Sequence, residues 1–515
     1  MKPPDQNDDT WAERFLWLPP VLLAAWRFHS ITQNYFYGDD LFNLHEIVNR
    51  SVVEYLFKPY GMHLLAARNL VYYLCARLFG TNAEPYFWLV LVTHVVNVLL
   101  LFRILRRLSG PRLACVAATV WGMSPVNEGA LGWYSVYGQV MAATFILCVL
   151  DRLVYVTQGA VPAAIEPLLW GGLLLAAAVS FGTGIGAAMA FPVVAFVLLP
   201  PSPTRRRALL VFVAIACTLP LLYAAAHRLA EFYNAPSTGV PGGGFGGFRV
   251  VPIIALTGRL AAYGVTSLLL GPFDYPIPYD SVAYDIVPSA VAIALVAALV
   301  VGSSAVRRWV LAMLVLGGAC YGIIAVGRLP FFTLFGKGVV TSARYHYAAP
   351  IPFAIAIVLA VGTCARWAAI PERWRNAALA VALVVTAGAN ALGAQPVDHH
   401  TRERTLAMRA VQKIRDQINA APVGTDVYIK NERFNGVGPL MLQRPDLFPG
   451  LAGIFAVYFP EQVVDGRRVF FVIWDPQTLA AAQRGHKSSA FVVAPNPQLQ
   501  GAAPPNPAPA AGASP

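Results

Sequence analysis

Over its first three quarters the chain alternates between apolar stretches of about 20 residues and short polar or charged loops. The pattern predicts membrane helices near 15–33, 84–104, 111–128, 136–156, 167–182, 185–200, 207–230, 286–305, 309–327, 345–365 and 376–393. No small-residue cleavage site follows the first stretch, so it is expected to be a retained helix and not a signal peptide. Segment 253–271 is apolar enough for a twelfth crossing. A crossing there would carry "GPFDYPIPYDSVAYD", which has three Asp and no Lys or Arg, to the side of the arginine-rich loops. A re-entrant or interfacial helix on the outer side is expected instead. The preceding "NAPSTGVPGGGFGGF" reads as a spacer, with a substrate lid as the alternative. Stretches 41–57 and 64–79 carry mixed helical periodicity with charges at intervals, as juxtamembrane helices do.

From Pro396 the period changes. "TRERTLAMRAVQKIRDQIN" predicts an amphipathic helix, and "DVYIKN", "IFAVYF" and "RRVFFVIWD" predict strands. Residues 394–493 are therefore expected to form a small extracytosolic α/β domain. The Pro/Ala-rich residues 494–515 cannot pack a core and are expected to be disordered. The expected fold class is an all-α polytopic membrane protein over 15–393 with that α/β domain appended.

Composition agrees. The chain of 515 residues is 57% hydrophobic and 12% charged, with a mean hydropathy of +0.56. Soluble domains carry roughly 25% charged residues. The net charge of +12 does not require a nucleic-acid partner. Much of the excess lies in the short loops Arg103–Arg112, Arg205–Arg207, Arg307-Arg308 and Arg366–Arg375, which fall on one side of the predicted helices. The positive-inside rule makes that side, and the N-terminal residues 1–14, cytosolic, with the C-terminal domain outside a plasma (inner) membrane. Six scattered cysteines form no CxxC and indicate neither a disulfide framework nor a zinc site.

Candidate chemistry collects on the outer side. Asp39-Asp40, in "NYFYGDDLFNLHEIVNR", is a carboxylate pair just beyond the first apolar stretch. Arg328, Lys337 and Arg344 lie in an outer loop where cations should be scarce, so they need a neutralising partner or an anionic ligand. Arg344 is the foremost candidate for a lipid-linked phosphate, since a guanidinium grips phosphate oxygens bidentately. The plainer reading is a snorkelling arginine. Glu128, Trp133, Tyr134 and Tyr137 mark a second outer loop, which reads as an aromatic belt with a solvated acid or as part of a site. Asp151-Arg152 reads as a local ion pair. The chain has no P-loop and no GxSxG. The glycines of "SFGTGIGAA" follow no strand, and His45 and His399-His400 lack metal-ligand spacing.

Four stretches together resemble the C-type (GT-C) polyprenyl-phosphate-sugar-dependent membrane glycosyltransferases, in particular their protein O-mannosyltransferase-like branch. "YFYGDD" followed by "IVNR" is similar to the acidic motif of the first outer loop. Arg68, Gly80, His94 and Asn97 match the run from a juxtamembrane helix into the second membrane helix. "WGMSPVNEGALGWYS" resembles the second acidic motif, with Pro125 and Glu128 in place, and "TSARYHYAAP" resembles a late Arg-Tyr motif, with Arg344, Tyr345 and Pro350. There are departures. "YSVYGQ" stands where the family often has an Arg, "FGTGIG" replaces a common Lys-Glu pair, and no tetratricopeptide repeat follows. The resemblance implies transfer of a sugar from a polyprenyl-phosphate donor to an acceptor hydroxyl on a protein, lipid or glycan, with inversion. It implies Asp39 as general base, Asp40 as its orienting partner, and Glu128 as a sugar or acceptor contact. Arg344, helped by Arg68 or Lys337, would stabilise the leaving phosphate, with Tyr345, His346 and Tyr137 as further substrate contacts. No metal or other cofactor is expected. A lipid-linked-sugar flippase and a polyprenyl-dependent polysaccharide polymerase or ligase are the alternatives. The Ala-, Arg- and Pro-rich composition suits a bacterial inner-membrane enzyme.

Overall fold

A computed structural model describes residues 11–36, 39–60, 63–232, 249–393 and three later strands. It divides into two compact units, residues 1–34 with 51–401 and residues 35–50 with 402–515. The helices in chain order are Trp11–Arg14 (α1), Leu18–Phe28 (α2), Asp39–Asn49 (α3), Val52–Phe57 (α4), Ala66–Phe79 (α5), Glu84–Ser109 (α6) and Pro111–Gly122 (α7). They continue with Glu128–Leu131 (α8), Tyr137–Thr157 (α9), Glu166–Ala178 (α10), Gly182–Leu198 (α11), Pro203–Phe232 (α12) and Val250–Leu270 (α13). The last are Ala283–Val301 (α14), Ser304–Phe335 (α15), Lys337–Val340 (α16), Pro350–Trp367 (α17) and Glu372–Leu392 (α18).

The first unit is a helical bundle, and polar side chains pin the two ends of its helices. At the lower end Arg112 reaches Glu13 at 2.9 Å and Glu372 at 3.2 Å, tying α1 to the starts of α7 and α18. There Asp151, largely buried, takes Arg103 at 3.0 Å and Arg107 at 2.6 Å, and Arg152 pairs with Glu166 at 2.8 Å. The expected Asp151-Arg152 pair is thus replaced by bridges between helices. Adjacent residues on a helix diverge by about 100° and find different neighbours. At the upper end the Ala67 amide donates to Val179 O (3.0 Å), and Tyr223 Oη donates to Ala178 O (3.1 Å) and Leu64 O (3.3 Å). Arg27 donates to Gly393 O (3.2 Å), and Asn34 donates to Gly132 O (3.3 Å).

Eight helices among the described residues, α13 among them, are long and apolar enough to cross a bilayer. Their outer surfaces expose Leu210, Leu221, Val296, Val300 and Val384. This is a multi-pass membrane protein. Several predicted boundaries move. The helix expected over 111–128 stops at Gly122, because Pro125 has no amide hydrogen and disfavours helix in the residue before it. The helix expected to end at 327 runs on to Phe335, and the one expected from 345 starts at Pro350.

α13 packs on α15, where Thr257 lies beside Gly322 and Gly264 meets the hydroxyl end of the Tyr321 side chain. The end of α13 rests on Pro125 at the upper end, through Gly271.

The long first loop folds as expected into short helices. α4 opens on a capping box, Ser51 with Glu54. A two-residue hairpin then pairs Pro59–Tyr60 (β1) with His63–Leu64 (β2). α5 ends at Gly80, whose φ of 56° lies in the left-handed region that glycine adopts without a Cβ penalty.

In the second unit α3 begins with the acidic pair, and Asp426–Lys430 (β3), Arg468–Val472 (β4) and Phe491–Val493 (β5) form a parallel sheet in that order. β3 and β4 fall within two of the three predicted strands. The predicted strand at "IFAVYF" and the amphipathic helix before it lie outside the described residues, as do 1–10 and 494–515.

Candidate active site

Because α7 stops at Gly122, the chain turns at the upper end through Pro125–Asn127 into α8. Asn127 Nδ2 donates to Trp121 O at 2.6 Å and fixes that turn. Gly129 then lies against the segment after α16. A Cβ built on it would stand 2.5 Å from Ala343 Cβ and 2.6 Å from the Arg344 amide nitrogen. Only a glycine lets the two backbones approach this closely, and Glu128 is thereby set beside Arg344.

The Arg344 side chain is half-buried between two aromatic rings. Its guanidinium carbon lies 5.4 Å from the Trp133 ring centre and 5.1 Å from that of Tyr345. Its Nε is buried without a hydrogen-bond partner, and no carboxylate pairs with it among the described residues. Arg328 approaches the same Tyr345 ring at 5.4 Å. Lys337 differs, since it is exposed and lies 3.9 Å from Asp280. Of the outer-loop cations, Lys337 therefore has a neutralising carboxylate and Arg344 does not. Tyr275 from the 271–282 loop completes this corner. Burial pushes its phenol well above the usual range, and Tyr263, the nearby Glu128 carboxylate and Tyr284 add to the rise.

The segment carrying Arg344 is held by buried hydrogen bonds. Gln139 donates from Nε2 to Arg344 O at 3.1 Å and accepts from Thr183 Oγ1 at 2.8 Å. His346, fully buried, lies 2.7 Å from Val340 O through Nε2 and 2.9 Å from Tyr321 Oη through Nδ1. A carbonyl only accepts, so Nε2 carries the proton and the Tyr321 hydroxyl donates to Nδ1. Burial presses His346 down to about 4, against a smaller opposing effect of the Val340 bond. His94 repeats the arrangement. Its Nε2 donates to Gly122 O (2.9 Å) and its Nδ1 accepts from Tyr347 Oη (2.8 Å), which in turn accepts from Asn97 (3.2 Å).

Glu128, Arg344 and Tyr345 are thus brought together, with Arg328 and Trp133. His346 is adjacent but spends both ring nitrogens inside the protein. Tyr137 is buried, stacks on Tyr134 and shares a 2.8 Å hydrogen bond with Thr93. Tyr134 is wholly buried against Tyr72 and Tyr86, with ring centres 4.7 and 4.9 Å away, so these tyrosines pack the interior and do not form an interfacial belt. Arg68 is 1% exposed, lies 5.9 Å from the Tyr72 ring centre, and has Nε and Nη1 without hydrogen-bond partners. Asp39 and Asp40 open α3 in the second unit. Asp40 is wholly buried, Asp39 is partly exposed, and Asn43 donates to Asp39 O at 2.7 Å. Acidic groups in a first helical turn are favoured by the unpaired amides there. Among the described residues no three His, Cys, Asp or Glu side chains are grouped to hold a metal ion.

Sequence reasoning missed Gln139, Tyr275 and Tyr321. Gln139 had a readable signal, since a lone amide in the apolar run "YGQVMAATF" must find partners inside the protein. The glycines of "FGTGIG" serve close packing, and a Cβ on Gly182 would press on His63 at 2.9 Å.

No family model matches the chain, and no curated protein matches it. Among solved structures, it is similar to the oligosaccharyltransferase AglB of Archaeoglobus fulgidus in complex with an inhibitory peptide and a dolichol-phosphate. The identity is 13% over 80% of this chain and 59% of that one, with a TM-score of 0.37. It is also similar to ArnT from Cupriavidus metallidurans bound to undecaprenyl phosphate, at 13% identity over 92% of this chain and 88% of that one, with a TM-score of 0.34. The chain spans 59% of the length of the archaeal enzyme. At this level of overlap the site's chemistry is read from its own residues.

Proposed function

We propose that this protein is a C-type membrane glycosyltransferase that moves a sugar from a polyprenyl-phosphate donor to an acceptor hydroxyl, at the end of the bundle carrying residues 124–137. The observation that carries the reading is Arg344, a half-buried guanidinium held between Trp133 and Tyr345 with no protein carboxylate. A guanidinium partly withdrawn from water with no counter-charge among the described residues carries a desolvation cost, and an arriving phosphate would offset it. The sequence motifs named above supply the sugar.

In this reading eleven helices cross the membrane, and the lower end with Arg103, Arg107, Arg112 and Arg152 is cytosolic. The polyprenyl chain lies in the bilayer and its phosphate meets Arg344. Asp39 takes the proton from the acceptor hydroxyl, whose oxygen bonds to the anomeric carbon as the bond to the phosphate oxygen breaks. Displacement from one side inverts that carbon. The partly exposed Asp39 suits a base that must reach an acceptor, and the buried Asp40 suits an orienting role. Glu128 contacts the sugar or the acceptor. Arg344 stabilises the charge that develops on the departing phosphate, where fixed charges act most strongly.

The test is transfer from radiolabelled polyprenyl-phosphate sugars to a membrane extract by the purified protein. Asp39→Asn and Arg344→Ala should each reduce transfer at least 100-fold, on the scale of about 10²–10⁴ for lost acid-base or charge-stabilising groups. Full transfer by both variants would refute the proposal.

A further inference from the structure

We propose that Gln139 is a positioning residue that holds Arg344 in the orientation needed to meet a phosphate, with Thr183 fixing the Gln139 amide. The inference rests on the phosphate reading of Arg344 and adds the group that acts through it.

The arrangement is defined at each atom. The Arg344 carbonyl only accepts, so the nitrogen of the Gln139 amide must face it, at 3.1 Å. The Gln139 oxygen then faces Thr183, whose hydroxyl donates at 2.8 Å. Gln139 and Thr183 are both 0% exposed, so neither partner is exchanged for water. The amide can satisfy both bonds in one orientation only, because its flipped form would set a carbonyl against a carbonyl. Thr183 lies in the first turn of α11 and Gln139 in the first turn of α9, so the link carries the register of two packed helices to the Arg344 backbone. α9 comes close enough because Gly138 faces Ser180 O, where any Cβ would collide. On the other side of the segment Gly129 sets the distance of α8, and His346, two residues after Arg344, is itself bonded to Val340 and Tyr321. The Arg344 side chain itself has no polar partner to orient it, so its direction comes from the backbone that Gln139 holds and from the two flanking rings. Charged groups fixed before the ligand arrives bind and stabilise it best.

The experiment measures undecaprenyl phosphate binding by quenching of tryptophan fluorescence, to which Trp133 contributes, for wild type, Q139L, R344A and Q139L/R344A, with melting temperatures alongside. R344A should weaken binding by about 10-fold or more, as expected for a charge-assisted contact. Q139L should weaken it about 3- to 10-fold, the effect of one neutral hydrogen bond. In the R344A background Q139L should add nothing, because the group it positions is gone. T183V, which keeps the side-chain volume and removes the donor, should reproduce part of the Q139L effect in the Arg344 background. If R344A bound like wild type, the phosphate reading itself would fail. If R344A weakened binding and Q139L did not, this inference alone would fail. Equal loss from Q139L in both backgrounds, or loss that only tracks a lowered melting temperature, would reduce Gln139 to a packing residue and overturn the proposal.

Discussion

Arg344 and His346 stand two residues apart and differ in kind. Arg344 has a half-buried cationic head and no carboxylate partner among the described residues, so an anion from outside the chain would complete its environment. His346 is complete within the chain, with one ring nitrogen donating and the other accepting. Its folded value of about 4 lies below the 6.5 of an unperturbed imidazole, so the folded protein prefers the neutral ring. The unfolded chain then binds more protons between pH 4 and 6.5, and the stabilisation present above pH 6.5 is lost as pH falls through that window. The shift corresponds to something on the order of 3 kcal/mol. Thermal unfolding followed from pH 7 to pH 4.5 should show a falling midpoint, and H346Q should show a shallower fall. An equal slope in the two proteins would mean that other groups carry it. The apolar run around His346 in the sequence gave no sign of these two partners, because Tyr321 lies a full helix away.

At the scale of the element, α13 separates length and composition from placement. It has 21 residues and ample apolar character, as a crossing helix does. Its far end rests on Pro125 at the upper end, and Val250, Val251 and Ile254 at its start are exposed. The sequence reading of an interfacial helix expects such an apolar face to lie along the outer boundary of the bilayer. Single cysteines replacing Arg249 and Phe273, both exposed, should therefore react with an impermeant maleimide from the same side of sealed vesicles. Labelling from opposite sides would establish a crossing. Charge is the legible part of that expectation. A loop with three Asp and no Lys or Arg belongs away from the arginine-rich end, and that asymmetry argued against a crossing where hydropathy alone argued for one.

At the scale of the molecule, most ionic pairs among the described residues of the bundle lie at its lower end, while guanidinium nitrogens buried without a partner occur at both ends, in Arg68 and Arg344 above and in Arg375 below. The lower pairs link different helices, and the largely buried Asp151 is held there by Arg103 and Arg107. In the proposed function Arg344 at the upper end meets the phosphate of the donor. If a fixed guanidinium meets the leaving monophosphate, transfer needs no resident divalent ion. The purified protein should then keep its transfer rate after treatment with EDTA. Loss of activity that magnesium or manganese restores would show that the cation is supplied in part by a metal.

The sequence by itself determined that this is a multi-pass helical membrane protein, because a bilayer forces every backbone polar group into local helical bonds and leaves a long apolar run as the mark. It also marked where the helices lie, which end carries the arginines, and which few polar residues stand out, Arg344 and Glu128 among them. It could not determine which of those residues has a partner. Lys337 and Arg344 both read as outer-loop cations in need of a partner, and only packing gave Asp280 to the first and two aromatic rings to the second. Nor could it show that Gly129 admits Arg344 or that Gln139 holds it, since those relations join residues about 200 positions apart. Helix formation is a local consequence of composition, whereas pairing of a buried charge depends on what the fold brings within about 4 Å of it.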